Sequence, residues 1–256
     1  MFRIKKADLP QLLSAIAAKQ EVYLPVNNGG QTNFAVWSEG VEADLDTLKT
    51  VKSPKDMFFP QSETLYTVTK ENKKLSIHPE ELVDQDFVAF GVKGCDIQGF
   101  KVLDKVFLAE PVDTYYAARR AHGTIVALAC HQPEETCFCN VFGVDCAEPD
   151  ADVVMWIIGE DLFWKPMTEK GETLTAQVSG LLTETDDAAV EQEKANIHAV
   201  VEKLPYSKLS LEGWDGDQTA AKFDPPVWEK LYKPCLACGT CTFVCPTCQC
   251  YDIRDF

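Results

Sequence analysis

Six of the eleven cysteines of this 256-residue chain fall in its closing stretch, CLACGTCTFVCPTCQCYDIRDF. The first four, Cys235, Cys238, Cys241 and Cys245, follow the spacing C-x2-C-x2-C-x3-C-P, a pattern of thiolates that holds iron–sulfur clusters. Two-residue gaps wrap Cys235, Cys238 and Cys241 around one cube, and Gly239 lets the backbone turn tightly past it. Where such runs serve two clusters, the cysteine before proline, here Cys245, ligates the other one. No second copy of the run occurs in the chain. Cys248 and Cys250, one residue apart, either supply a missing fourth ligand or stand beside the cluster. Zinc takes only four ligands and would leave Cys245 before Pro246 without a role, so it is the weaker reading.

A second group is less regular. Cys95 lies in VKGCDI, Cys130, Cys137 and Cys139 in ACHQPEETCFCNVFG, and Cys146 just beyond. Its C-x6-C-x-C spacing is unlike a zinc ribbon, which pairs C-x2-C knuckles. Four thiolates at the ends of neighbouring strands could enclose a further 4Fe-4S cube, with Gly94 and Pro133 shaping the loops and Cys146 as the spare. The plainer alternative is that some are ordinary buried cysteines. Asp96 and His131 stand next to the group, where hydrogen bonding is expected of them rather than ligation.

The elements that must position these sulfurs follow from hydrophobic periodicity. Residues 1–20 read as an amphipathic helix with Leu9, Leu12, Ile16 and Ala17 on one face. EVYLPV and NFAVWSE form a hairpin about NNGG, SPKDMFFP is an extended segment, and LYTVTKENKKLSIHP is a second hairpin with KENKK at its tip. From Asp86 an unbroken apolar strand passes into a helix, and DTYYAARRAHG then leads into the strand GTIVALAC. Alternation of this kind implies an α/β sheet, with functional groups at the carboxyl ends of strands, where Cys95 and Cys130 fall. DVVMWIIGEDLFWKPMT reads as two strands meeting at Gly159. Beyond Gly171 the chain turns helical, notably in DDAAVEQEKANIHAVVEKL, whose Val190, Ile197, Val200, Val201 and Leu204 make an apolar stripe that Pro205 ends. YSKLSLEGWDGDQTAA is a linker, and a short helix around PPVWEKLY delivers Cys235. The expected organisation is an α/β amino-terminal domain over residues 1–180 and a smaller α-helical ferredoxin-type domain over residues 181–256.

Composition narrows the function. A formal charge of −16 argues against nucleic-acid binding, which rests on clustered Lys and Arg. Acidity serves solubility first and also suits docking to a basic partner. The opening residues carry no apolar targeting segment, and VVMWII is too short to span a bilayer. A reducing cytoplasm is the expected setting, where clustered cysteines are ligands before they are disulfides. No nucleophile–base pair, G-x-G-x-x-G loop or P-loop stands out, so no catalytic residue is assigned. GVKGCDIQG has the wrong spacing for a nucleotide loop.

The stretches FFPQSETL, FGVKGCDIQGFKVLDKVF, YYAARRAHGTIVALACHQPEETCFCNVFG and CLACGTCTFVCPTCQCYDIRDF together resemble the 4Fe-4S dicluster family, which groups the iron–sulfur β subunit of cytoplasmic nickel–iron hydrogenases (sulfhydrogenases) with an iron–sulfur component of anaerobic sulfite reductase. The resemblance covers most of the chain from about Lys52. It implies an electron-transfer subunit that relays single electrons between a flavin- and NAD(P)-binding reductase subunit, on one side, and a catalytic redox subunit, on the other, in an anaerobe. It also implies that CLACGTCTFVCPTCQC, with Cys248 and Cys250, is the first of two ferredoxin motifs. Since the chain stops at Phe256 without the second, a longer natural protein carrying a further cluster is expected. Two rival readings are a catalytic sulfur-compound reductase using the irregular amino-terminal cluster, and a zinc-binding interaction module.

Overall fold

The apolar runs FVAFGV, GTIVAL and VVMW become the buried centre of a sheet. The computed structural model describes residues 1–224 and 226–254; Pro225 of the PPVWEKLY run, and Asp255 and Phe256 at the close of the cysteine-rich stretch, lie outside the described residues. In chain order the strands are β1 (Phe2–Lys5), β2 (Glu21–Asn28), β3 (Gln31–Val36), β4 (Tyr66–Glu71), β5 (Lys74–Pro79), β6 (Phe87–Val92), β7 (Gly123–Leu128), β8 (Val153–Ile158), β9 (Asp161–Pro166) and β10 (Thr183–Glu184). The helices are α1 (Leu9–Ala17), α2 (Gly94–Phe107), α3 (Thr114–His122), α4 (Glu169–Gln177), α5 (Ala188–Val201), α6 (Trp228–Leu231) and α7 (Thr240–Val244).

Eight strands form one mixed sheet in the order β10-β1-β9-β8-β7-β6-β2-β3. Its centre, β8-β7-β6-β2, is parallel, and both flanks are antiparallel. Strands buried on both faces need apolar residues at every position, and alternate ones serve opposite layers. Val88, Phe90, Val126, Leu128, Val153 and Met155 face α1 and α4. Phe87, Ala89, Ile125 and Ala127 face α2 and α3, while Val154, Trp156 and Phe163 face α5. Four residues of α1, Leu9, Leu12, Leu13 and Ile16, are buried, each worth about 1.5–3 kcal/mol against full exposure.

Three local expectations change. Residues 1–20 are not one helix, because Phe2–Lys5 is captured between β9 and β10 as a strand. SPKDMFFP is not extended: Ser53 accepts a hydrogen bond from the Lys55 amide and caps a 3-10 turn over Pro54–Met57, which carries Phe58 to full burial. Val200 is exposed, whereas Val190, Ile197 and Val201 of the expected stripe are buried. Apolar packing continues past residue 180, through β10 against β1 and α5 against β8. Residues 206–224 and 226–236 then run almost wholly exposed, through a 3-10 stretch at Gly216–Lys222 and through α6. Among the described residues no helix is long and apolar enough to cross a membrane.

Candidate functional site

Because β6 and β7 are parallel neighbours, their carboxyl ends share one edge of the sheet. β6 hands over to Cys95 in the first turn of α2, and β7 to Cys130 two residues past its end. The handover at β6 is bent by a register shift at Gly91, which has φ +80°. A Cβ there would sit 3.1 Å from Leu45 and 3.2 Å from Pro25, so only glycine fits the bulge. Cys137 and Cys139 arrive on the loop after β7, which is folded by a Cys137 amide bond to the Glu134 carbonyl (2.9 Å) and a 3-10 turn over Cys139–Phe142. Cys146 closes the loop, its carbonyl accepting from the Cys130 amide at 2.9 Å.

The structure brings the second group into one neighbourhood. Cys95 interacts electrostatically with Cys130 and Cys139, and Cys130 with Cys137 and Cys139. Among the described residues, no three His, Cys, Asp or Glu side chains already converge on a single metal-binding point. Although Cys95 keeps some exposed surface, the surrounding chain crowds its thiol and pushes it up to about 12, with Asp96 adding to the effect. Burial likewise pushes Cys130 up to about 11, opposed by Lys93. Cys139 is lowered to about 7 because the Cys146 thiol hydrogen-bonds to it, and Cys146, buried, is raised in turn. Desolvated thiols of this kind become thiolates when a cation compensates them. An all-sulfur donor set with that requirement fits an iron–sulfur group.

Asp96 and His131 make the hydrogen bonds that their positions suggest. Burial raises Asp96 to about 6, against a hydrogen bond from Ser53 and the charge of Lys93. His131 accepts from the Ile157 amide at Nε2 (3.3 Å) and meets Glu193 Oε1 through Nδ1 (2.7 Å). Both ring nitrogens are thus engaged.

The carboxy-terminal group is organised differently. The Ala237 amide donates to Cys235 Sγ at 3.4 Å, Cys238 Sγ lies 3.3 Å from Thr240 Oγ1, and Cys245 Sγ lies 3.2 Å from Thr247 Oγ1. Each sulfur is served from two residues downstream. Ala237 (φ 54°) and Gly239 (φ 73°) take the left-handed conformation that curls this loop, and Gly239 caps α7, which carries Cys241. The hydroxyl and amide of Thr240 hold Cys238 below the usual thiol range. At Cys245 burial works upward but is outweighed by Thr247 and Cys248. Cys248 is raised, by burial first and then by Cys245, and has Cys250 as a further neighbour.

This segment docks on the α/β body. Lys55 is 3% exposed, and its Nζ donates to the carbonyls of Cys245 (2.7 Å) and Cys248 (2.8 Å), 190 and 193 residues away. Pro246 lies on Gly99 of α2, where an added Cβ would be 2.9 Å from Pro246 Cβ. Lys52 Nζ sits 4.9 Å from the Phe243 ring centroid, and Tyr251 lies 6.4 Å from both Phe59 and Phe107. Gly99 is one helical turn, about 6 Å of rise, beyond Cys95. None of Lys52, Lys55 and Gly99 stands out from the sequence, because the partners that give them meaning lie far along the chain. A cavity of about 600 Å³ is lined by residues including Tyr23, Phe34, Met57, Phe87 and Arg119 and has no cysteine in its wall.

No protein-family model matches the chain, and no solved structure matches it. Over 249 residues it is 31% identical to sulfhydrogenase 2 subunit beta of Pyrococcus furiosus, a match that covers 96% of this chain and 71% of that protein.

Proposed function

The chain belongs to the family of sulfhydrogenase β subunits, and on that premise we propose that it relays single electrons between two partners, a flavin- and NAD(P)-binding reductase subunit on one side and a catalytic redox subunit on the other. In this reading Cys235, Cys238 and Cys241 hold one 4Fe-4S cluster in a small ferredoxin-type domain, with Cys245, Cys248 and Cys250 beside it. Cys95, Cys130, Cys137 and Cys139 hold another in the α/β domain, and Cys146 supports Cys139. A bound cluster supplies a one-electron couple, on the order of −400 mV for ferredoxin-like sites.

The chain's own residues do the positioning. Lys55 and Gly99 fix the tail on the α/β body, with Pro246 seated on α2, the helix whose first turn bears Cys95. Amides and hydroxyls of the tail stabilise negative sulfur there, and partial burial desolvates Cys95 and Cys130 of the body. The observation that supports the reading is this dock, in which a buried lysine holds the carbonyls of Cys245 and Cys248 and Pro246 packs on Gly99, four residues along α2 from Cys95. A reducing cytoplasm, where eleven free thiols persist, suits it.

Anaerobic purification from the native host, with iron and acid-labile sulfide quantified, tests the proposal. Two cubes give about eight irons per chain and a brown sample that bleaches on dithionite. Fewer than about three irons per chain, or a colourless zinc protein, would overturn it.

A further inference from the structure

We propose that the β4–β5 hairpin is a docking arm for another member of the complex, one that offers an apolar strip rimmed by carboxylates. The inference rests on the family membership of the chain and not on its cluster content. In register, Val68 pairs with Ile77, Lys70 with Leu75 and Tyr66 with Pro79. Directly opposed residues share a face of the ribbon, so these six make one side. The other side carries Thr67 with His78, Thr69 with Ser76 and Glu71 with Lys74, and there Thr69 Oγ1 and His78 Nε2 share a hydrogen bond at 3.0 Å. One face is apolar apart from Lys70 near the tip, and the other is polar and internally bonded.

At Val68, Leu75 and Ile77 the apolar face is bare. Val68, Leu75 and Ile77 are 52%, 65% and 67% exposed, and a two-stranded ribbon without cover on its apolar face is marginal in water. Its foot, in contrast, is fastened. The Glu80 amide donates to the Leu65 carbonyl at 3.0 Å, the Tyr115 hydroxyl donates to the same carbonyl at 2.9 Å, and Arg119 pairs with Glu63. A ribbon held at its base and exposing Val68, Leu75 and Ile77 towards its tip is built to be covered from outside.

Charge selects the occupant. Lys70, Lys73 and Lys74 crowd the tip against the lone Glu71, in a chain whose formal net charge is −16. A basic tip on an acidic molecule is complementary to carboxylates on a partner. A second copy of this chain would bring −16 against −16 and is disfavoured by that repulsion.

The test uses the full-length chain, affinity-tagged and co-expressed with the other subunits of its complex, and reads the ratio of co-purified subunits to iron-loaded chain. The Leu75→Glu/Ile77→Glu double substitution is expected to lower that ratio at least about tenfold, the loss typical of removing buried anchor residues. Iron per chain and the melting temperature should not move, which separates this result from a failure of the relay reading. Lys73→Glu/Lys74→Glu should weaken association at low salt and flatten its salt dependence. Hydrogen exchange adds an arm free of mutations: amides of residues 66–79 should be protected in the complex and not in the free chain. An unchanged ratio, no protection in the complex, or a hairpin-dependent dimer of the chain alone would overturn the proposal.

Discussion

Cys95 and Cys130 of the body and Cys238 and Cys245 of the tail sit in opposite environments, while Cys139, lowered to about 7, and Cys248, raised, run against the trend of their own groups. In the α/β body, burial drives the thiols of Cys95 and Cys130 up to about 12 and about 11, so the protein fold opposes the thiolate and an external cation must compensate. In the tail, Cys238 and Cys245 are held low by downstream hydroxyls and amides, so the local chain already favours the thiolate. A short, ordered spacing lets a segment prepare its own sulfurs. Cysteines drawn from distant loops depend on the whole sheet to assemble them. The body group should therefore be sensitive to the fold around it, and the tail group to its own turn residues and to its dock.

The largest effect is expected from ligand removal. Cys238→Ala and Cys139→Ala should each take about four irons from the chain, the content of one cube, and leave the other cluster's absorption in place. Iron analysis of both variants checks this, and loss of all iron from either one would collapse the two groups into one site.

Next comes the dock. Lys55→Met leaves two part-buried carbonyls without their donor, and water that reaches them holds the total cost to the low end of about 1–3 kcal/mol. The tail should become about tenfold more accessible to limited proteolysis on that scale, with Lys55→Arg partly protective. Loss of a positive charge beside Cys245 and Cys248 should also lower the reduction potential of the tail cluster, measured by redox titration. An unchanged cleavage rate and potential would mean that the tail is held by something else.

Gly99→Ala should separate the two regions more gently. Alanine favours α2 by about 1 kcal/mol, while its Cβ pushes on Pro246. Melting of the body is expected to hold or rise as tail protection falls, and parallel changes in both would contradict the division.

The smallest effect concerns the body alone. Burial works to raise Asp104, but Arg120 and Tyr116 outweigh it and hold the carboxyl below its ordinary value. Such a group adds stability above the unfolded-state pKa, near 4, and loses it as pH falls through the lowered folded value. Asp104→Asn should therefore flatten acid denaturation below about pH 4 and leave cluster spectra unchanged. Thermal melts across that window test it.

Much of this was legible in the sequence for physical reasons. NNGG and KENKK marked true hairpin turns, and unbroken runs such as FVAFGV could belong only to strands covered on both faces. Cys95 and Cys130 fell at strand ends because parallel neighbours end on one edge. What escaped had no local signal. FRIK is a strand only because β9 and β10 flank it, and Ser53 caps a turn that its prolines suggested was extended. Lys55 reads as an ordinary surface lysine until the carbonyls of Cys245 and Cys248, 190 and 193 residues on, come to meet it.

The central proposal is that the body and the tail docked on it each hold a cluster, near enough for their spins to couple. Electron paramagnetic resonance of the full-length protein, prepared anaerobically and reduced with dithionite, tests it most directly. The account predicts two 4Fe-4S signals broadened by mutual spin coupling, which simplify to a single uncoupled signal in Cys139→Ala. A lone cluster signal in the unsubstituted protein, or two signals that do not interact, would contradict it.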